Sequence, residues 1–316
     1  MMTEHFKTFL VVNPHSANGR TGKNWPKIAA TVRDAIGPFD FALTTKPMQA
    51  PELTRQALAK GYEMIVSVGG DGNNNEVING FFDNDKPINP EAVFAIIPGG
   101  TGGDLARILK VRGLPYSEVV KTLKGRNAVR SDAGKVTHID HSGKEVVRYY
   151  INIADLGIGG TVVEIVNRTT KALGGKMSFF IGSLRGTIAY HNKHVKYRID
   201  DGPEMEGKFY LIAAAIGQYF GGGMQIAPLS VHNDGLLDIM LLGDMSFVET
   251  LKLSGKIYKG QHLNMHKVQR LQGKKLAAVS EEKVYIDVDG EQPGILPATF
   301  EIMPGAVRMK QLPPGA

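Results

Sequence analysis

The chain has 316 residues, 42% of them hydrophobic, a formal net charge of +6 and no cysteine. This length and apolar content suit two domains with cores of their own, and the lack of thiols excludes a disulfide framework and a thiolate zinc site. The longest apolar stretches, FYLIAAAIG near position 212 and MSFFIGSL near 180, are well short of the roughly twenty residues a spanning helix needs, while the positive charge favours anionic partners such as nucleotide phosphates, acidic lipid surfaces or nucleic acid.

At the start, Glu4 to Lys7 lead directly into strand-like TFLVVN, so no signal peptide is expected and a cytoplasmic location is. The pattern then predicts a strand over Phe9 to Val12, a loop, a helix around Trp25 to Ile36, a strand over Phe39 to Leu43, and a helix from Pro51 to Lys60 closed by Gly61. Short apolar strands at Met64 to Val68 and Val93 to Ile97 each feed a glycine-rich run, VSVGGDGNNNEVING at 66–80 and AIIPGGTGGDLAR at 95–107. Glycines there let backbone N–H groups approach a ligand at the carboxyl ends of strands, where α/β sheets bind phosphate. Each run carries an acid, Asp71 or Asp104, which simple anion recognition would avoid and a metal–nucleotide complex would accept.

Strands alternating with helices imply βαβ units, so residues 1–132 are expected to form an α/β nucleotide-binding domain with a parallel sheet flanked by helices. Beyond Asp132 the rhythm becomes β-rich. Strands are expected at Val146 to Ile153, Val195 to Ile199, Phe209 to Ala215, Leu236 to Leu241, Lys275 to Val279, Val284 to Asp289 and Thr299 to Met303. Helices are expected at Val162 to Arg168, Ser178 to Tyr190 and Phe247 to Tyr258. Residues 133–316 therefore read as an antiparallel β-rich sandwich, the last of them packing back on the first domain.

In this setting the two glycine runs resemble the diacylglycerol kinase catalytic domain shared by bacterial lipid kinases, sphingosine kinases and ceramide kinases. The opening VVNPHSANGRTG resembles that family's first nucleotide loop. DAGKV at 132–136, INIADLGIGG at 151–160, FGGGMQIAP at 220–228, NDGLLDI at 233–239 and VDGEQ at 288–292 follow in the family's order and spacing. The resemblance implies a fold of the NAD kinase and diacylglycerol kinase type, and transfer of the ATP γ-phosphoryl group to a lipid hydroxyl with ATP and Mg2+ as cofactors. It implies nucleotide contacts from Asn13, Pro14, Ser16, Gly19 and Thr44, from Gly69, Gly70, Asp71, Gly72, Asn73, Asn75 and Glu76, and from Gly100, Thr101 and Asp104. Glu291 is the implied base, with Asp71 holding the magnesium–phosphate complex; the matching aspartate of eukaryotic relatives has also been assigned the base, so both remain catalytic candidates.

APLSVHNDGLLDI resembles the structural magnesium site of bacterial members, which here would use Asp234 with the carbonyls of Val231 and Leu236. Read without the resemblance, the same segment is an Asn-Asp-Gly turn that needs no metal. The chain departs from the family pattern at Asn73, where threonine is usual, and at Gly103, where asparagine is. No HExxH spacing and no GxSxG elbow occur, so neither a zinc site nor a serine hydrolase is expected; the dispersed charge gives no reason to expect nucleic-acid binding. The apolar MSFFIGSL segment, surrounded by Lys171, Lys176, Arg185, Lys193 and Lys196, suits a peripheral membrane contact, and a homodimer is compatible with the pattern. The alternatives are an NAD kinase-like phosphotransferase, which shares the GGDG loop, and a non-catalytic nucleotide- or lipid-binding protein. Diacylglycerol, a sphingoid base and ceramide all present a suitable hydroxyl.

Overall fold

The computed structural model describes residues 5–99, 103–169 and 190–311. They divide into two compact units, one running up to Ser131 and resuming at Gly305, the other spanning Asp132–Pro304. In the first unit the chain runs β1 (Thr8–Val12), α1 (Arg20–Ile36), β2 (Asp40–Leu43), α2 (Ala50–Ala59), β3 (Met64–Gly69), α3 (Asp71–Asn79), a small ribbon of β4 (Phe82–Asp83) and β5 (Lys86–Pro87), β6 (Val93–Pro98), α4 (Asp104–Ile108) and α5 (Tyr116–Val119). The strands form a parallel sheet in the order β6-β3-β1-β2. All six residues of β3 are buried, as are the first five of β6. Such unbroken apolar runs are what a parallel strand covered on both faces requires.

Thr21, Trp25, Ile28, Val32 and Ile36 make the buried stripe of α1, the three-to-four-residue spacing of an amphipathic helix. This helix starts at Arg20, a turn and more before the expected Trp25, behind a left-handed Gly19 at φ 80°, and carries Pro26 within it.

The second unit contains β7 (Val129–Asp140, entering from the first unit), β8 (Glu145–Tyr150), β9 (Ile153–Gly157), α6 (Ile158–Thr169), β10 (Lys193–Ile199), β11 (Met205–Phe209), β12 (Leu211–Ala215), β13 (Leu237–Leu242), α7 (Phe247–Ile257), β14 (Val268–Gly273), β15 (Lys275–Val279), β16 (Ile286–Val288) and β17 (Gly294–Met309). One antiparallel sheet has the order β14-β13-β12-β9-β16; β11, β10, β15 and β17 form a second, with β7 and β8 beside β17. Leu156, Ile212, Ile239, Ile286 and Val288 of the first sheet meet Val136, Tyr150, Val195, Leu276 and Phe300 of the second in one core. This is the expected sandwich. The first sheet's other face packs with α6 and α7 through Ile153, Ala213, Met240, Val162, Leu253 and Ile257.

At its end, β17 pairs Arg308 and Met309 in parallel with Val93 and Phe94 of β6, and Lys310 Nζ donates to the Lys124 and Gly125 carbonyls at 3.0 and 2.9 Å. The last residues of β17 therefore join the first unit's sheet.

Several elements differ from their expected bounds. The strand expected over Val146 to Ile153 is two strands, because the N–H groups of Ile151, Asn152 and Ile153 all turn to the Asp289 carboxylate. The one expected over Phe209 to Ala215 breaks at Tyr210, whose N–H donates to the Leu242 carbonyl at 2.8 Å. β7 and β14, rich in polar residues, were not expected as strands; in β7, Gly134 has no side chain because the Tyr150 ring lies where a Cβ would stand. The helix expected over Ser178 to Tyr190 lies outside the described residues except for Tyr190.

Candidate active site

In the first unit, three segments meet at the carboxyl ends of β1, β3 and β6. β3 and β6 pair to their last residues, Gly69 opposite Pro98, and the Gly99 N–H continues the ladder by donating to the Gly69 carbonyl at 2.7 Å. The two glycine-rich turns are thus neighbours. The segment after β1 joins them: Asn13 N–H donates to the Val68 carbonyl at 2.9 Å, and the Ser16 and Thr21 hydroxyls lie 2.6 Å apart. A Cβ on Gly99 would collide with the Thr21 hydroxyl, so glycine at 99 is what lets these segments approach. Thr21, buried at the start of α1, was missed by sequence reasoning, although it stands in the quoted NPHSANGRTG block.

Within the first loop Asn13 Oδ1 accepts from the His15 N–H at 3.0 Å, and Ser16 Oγ donates to the Asn13 carbonyl at 3.0 Å. Ala17, Asn18 and Gly19 then take successive positive φ values of 54°, 56° and 80°. The Gly22 N–H donates to the Pro14 carbonyl at 3.0 Å. Thr44 is buried and continues β2 by donating its N–H to the Val12 carbonyl at 2.8 Å.

Asp71 ties the glycine turns together. Its Oδ2 accepts from the Gly103 N–H at 2.8 Å and the Asp104 N–H at 3.2 Å. Its Oδ1 is buried and has no hydrogen-bond partner among the described residues. Gly103 takes a left-handed φ of 69°, a conformation glycine or asparagine adopts at least cost, which accounts for the exchange at this position. Gly100 and Thr101 lie outside the described residues. Asp104 is buried and faces Arg107 at 3.6 Å.

The run after Gly70 is less a loop than a helix, since α3 begins at Asp71. Helical geometry turns Asn73 and Asn75 inward: Asn73 Nδ2 donates to Ser67 Oγ at 2.7 Å and to the Val11 carbonyl at 3.3 Å, and the fully buried Asn75 accepts from Asn79. Asn73 thus ties α3 to β1 and β3, and Asn75 is bonded within the helix itself. Glu76 holds the Met48 and Ala50 N–H groups at 3.1 and 3.2 Å, capping the start of α2. Gly69 is buried with the rest of β3 while Gly70 and Gly72 are half-buried, so the backbone this segment offers to a ligand lies at Gly70 and Gly72. A pocket of about 440 Å³ opens beside Gly103, lined by Pro98, Lys27, Arg112 and Tyr116 among others, which brings two cations to that turn.

In the second unit, Asp289 and Gly290 have φ of 51° and 90°, and Val288 and Glu291 exchange both backbone hydrogen bonds at 2.8 and 3.1 Å. This is the two-residue Asp-Gly hairpin whose positive φ angles suit a type I′ turn. Asp289 is half-buried and held by backbone: its Oδ1 accepts from the Asn152 and Ile153 N–H groups at 3.1 and 3.0 Å and its Oδ2 from the Ile151 N–H at 3.1 Å. Glu291 leaves the turn half-buried. Next to it, the Gln292 side chain meets His141 Nε2 at 2.8 Å and donates to the Gly294 carbonyl at 2.7 Å.

The loop expected to hold magnesium is organised by a residue that sequence reasoning placed only within the DAGKV block. Asp132 Oδ2 accepts from the Gly235 N–H at 2.8 Å and its own N–H donates to the His232 carbonyl at 2.8 Å. Asp234 Oδ1 accepts from the Leu236 N–H at 3.1 Å. Val231 is exposed. Among the described residues no group of three acidic or histidine side chains could hold a metal, so a cation here would depend on Asp234 Oδ2 and main-chain carbonyls, oxygen donors of the kind magnesium takes. Nearby, burial raises the Asp238 carboxyl above its ordinary range despite its ion pair with Arg270 at 2.6 Å, and Asp234 adds to the rise.

Among the described residues no helix is long and apolar enough to cross a membrane. Comparison with known proteins agrees with this architecture. Residues 7–136 match the diacylglycerol kinase catalytic domain, and residues 152–311 match the YegS C-terminal NAD kinase beta sandwich-like domain. Diacylglycerol kinases of Bacillus subtilis (strain 168) and Staphylococcus carnosus (strain TM300) are each 26% identical over 92% of this chain and 91% and 90% of their own length. The crystal structure of a candidate diacylglycerol kinase from Bacillus anthracis str. Sterne superposes with a TM-score of 0.75 at 25% identity, covering 98% of this chain and 99% of that one. Yeast NADH kinase, in complex with NADH, shares the fold at a TM-score of 0.53 and 11% identity, covering 99% and 85%. With both domain models matched in order over most of its length, the chain belongs to the diacylglycerol kinase family, lipid kinases that phosphorylate a lipid hydroxyl.

Proposed function

We propose that this protein transfers the γ-phosphoryl group of ATP to the free hydroxyl of diacylglycerol. The observation that carries the reading is the Asp71 carboxylate, which ties the two glycine turns through Oδ2 and keeps a buried Oδ1 without a partner among the described residues. An unsatisfied buried carboxylate oxygen is costly, and the hydrated cation of a metal–nucleotide complex is a partner that offsets the cost. The choice of diacylglycerol over other alcohols is supported by the Bacillus subtilis and Staphylococcus carnosus relatives, which carry that name.

Phosphoryl transfer leaves the protein mainly positioning and charge stabilisation to supply. The N–H groups around Gly70 and Gly72 receive the phosphates, with Lys27 and Arg112 adding positive charge beside Gly103. Asn13, Pro14, Ser16, Gly19 and Thr44 shape the neighbouring loop mouths, largely through backbone. Glu291 accepts the proton of the lipid hydroxyl as its oxygen bonds to the γ-phosphorus and the bond from that phosphorus to the ADP oxygen breaks. When bound, magnesium neutralises charge on the phosphates. Asp234 with the Val231 and Leu236 carbonyls would hold a separate structural ion, and Asp132 fixes that loop's backbone. Reaching a substrate with acyl chains calls for contact with a membrane surface; the segment expected to make it lies mostly outside the described residues.

The test is incubation with labelled ATP, magnesium and a total lipid extract, with NAD offered in parallel. The reading expects phosphatidate as the labelled product. Another phosphorylated lipid would move the substrate, labelled NADP would move the activity to the NAD kinase type, and no product would leave a binding protein.

A further inference from the structure

Strands β9 and β16 place two carboxyls side by side. They pair antiparallel with Leu156 opposite Ile286, Asp155 opposite Asp287 and Ala154 opposite Val288, and directly opposed residues hold their Cβ atoms about 4.5–5.5 Å apart. Ala154, Leu156, Ile286 and Val288 face the core between the sheets. Asp155 and Asp287 therefore occupy the opposite face, which α6 covers. Both are buried, 1% and 7% exposed.

The helix is laid directly on Asp155. A Cβ at Gly159 would overlap the Asp155 carboxyl, and one at Gly160 would stand 2.7 Å from the Tyr285 carbonyl carbon, so the two glycines that open α6 let its first turn close over the pair. Among the described residues the Gly160 N–H approaches the Asp155 carboxyl without completing a hydrogen bond, and the Tyr190 hydroxyl has no partner either; that hydroxyl lies 3.0 Å from where a Cβ on Gly157 would stand. Asp287 is engaged differently: its Oδ1 accepts from the Gly290 N–H at 2.7 Å. Gly290 is the second residue of the turn that presents Glu291.

Two carboxyls this close and this dry cannot both be ionised without large cost. Burial pushes Asp155 up to about 8, the Gly160 N–H opposing it only in part, and raises Asp287 well above the carboxylate range, with repulsion from Asp155, Asp289 and Glu291 added. Tyr190 faces the pair before β10, with Tyr210 and Glu282 acting on it in turn. Such a pair titrates as a unit.

We propose that Asp155 is a positioning residue for phosphoryl transfer: it shares a proton with Asp287 across the strand pair, which keeps Asp287 Oδ1 on the Gly290 N–H and fixes the turn that presents Glu291. This rests on Glu291 being the base. Loss of the shared proton at alkaline pH sets two carboxylates against each other, draws Asp287 off Gly290 and loosens the turn.

Two measurements on the full chain test it. The first is thermal unfolding of wild type and Asp155→Asn from pH 4 to 9. A carboxyl whose folded-state affinity for a proton is raised contributes stability that is fully present below its unfolded value and is lost as pH rises through the folded one. Wild type should therefore lose stability relative to Asp155→Asn between about pH 4 and about 8, and a difference that does not vary with pH would overturn the shared proton.

The second is the pH profile of kcat for lipid phosphorylation. Asp155→Leu should lose at least about tenfold in kcat with the KM for ATP unchanged. Asp155→Asn, which keeps a neutral donor beside Asp287, should restore the rate at neutral pH and flatten the alkaline fall seen in wild type. An identical alkaline limb in wild type and Asp155→Asn, or a loss in Asp155→Leu confined to stability, would overturn the positioning role. If wild type phosphorylates no lipid, the functional reading and this role fall together, while the unfolding comparison still decides whether the pair shares a proton.

Discussion

Four carboxylates do more for the backbone than for the surface. Asp71 holds Gly103 and Asp104, Glu76 holds Met48 and Ala50, Asp132 holds Gly235, and Asp289 holds Ile151, Asn152 and Ile153. A carboxylate accepting backbone N–H groups makes strong, charge-assisted bonds, and removing it strands the donors. Asp289→Ala is expected to cost on the order of 3 kcal/mol in denaturant unfolding, and Asp289→Asn, which keeps one acceptor oxygen, distinctly less. Equal losses in the two variants would deny that these three bonds organise the break between β8 and β9. Glu291, outside that group, is assigned to chemistry. Glu291→Gln should lower kcat by about 10²–10⁴-fold while stability stays within about 0.5 kcal/mol of wild type; a wild-type rate would remove Glu291 from the base role.

At the scale of elements, the segments around Gly99 are close enough that one methyl group decides their spacing. Gly99→Ala would place Cβ against the Thr21 hydroxyl and near Ser16. It should destabilise the protein by about 1–3 kcal/mol and weaken ATP binding measured by calorimetry, whereas normal ATP affinity would separate nucleotide binding from this contact. Helix α7 offers a control away from that site. Ser246 accepts from the Glu249 N–H at 3.3 Å while Glu249 Oε2 accepts from the Ser246 N–H at 2.8 Å, a capping box. Ser246→Ala should cost about 1 kcal/mol, lowering Tm by about 2–4 °C with kcat unchanged. The Ser246 groups and Lys267 hold Glu249 down at about 2, Lys267 first among the causes. Its contribution is therefore present above the ordinary glutamate range and lost as pH falls toward about 2.

The same elements show what could be read from the chain. β3 and β6 were legible because unbroken apolar runs ending in glycine have few other meanings, and β15 was expected at its observed bounds, Lys275 to Val279. β7 was not, because its Asp132 and Gly134 are explained only by distant partners, the Gly235 N–H and the Tyr150 ring. Local periodicity carries no trace of such partners.

For the whole molecule, the order of motif blocks conveyed the family, and a parallel α/β pattern followed by antiparallel strands conveyed the fold class, since it leaves few layer arrangements. Side-chain direction was not conveyed. Asn73 and Asn75 sit in a motif associated with nucleotide, yet α3 begins at Asp71 and its helical turn sends them inward to Ser67, Val11 and Asn79. Asp155 and Asp287 are more than a hundred positions apart in sequence, and only the β9–β16 register reveals them as neighbours. Residues expected to ligate through backbone, such as the glycines, are named by motif; residues that act by holding backbone are found only in the fold.

The central claim is that ATP-dependent phosphorylation of diacylglycerol depends on both Asp71 and Glu291. Its most direct test is the initial rate of labelled phosphate transfer from ATP to diacylglycerol in detergent micelles with magnesium, for wild type, Asp71→Asn and Glu291→Gln at matched folded concentration. We expect phosphatidate from wild type and a fall of at least about 10²-fold in each variant, with ATP still bound by Glu291→Gln. Undiminished phosphatidate from both variants, or none from wild type, would contradict the account.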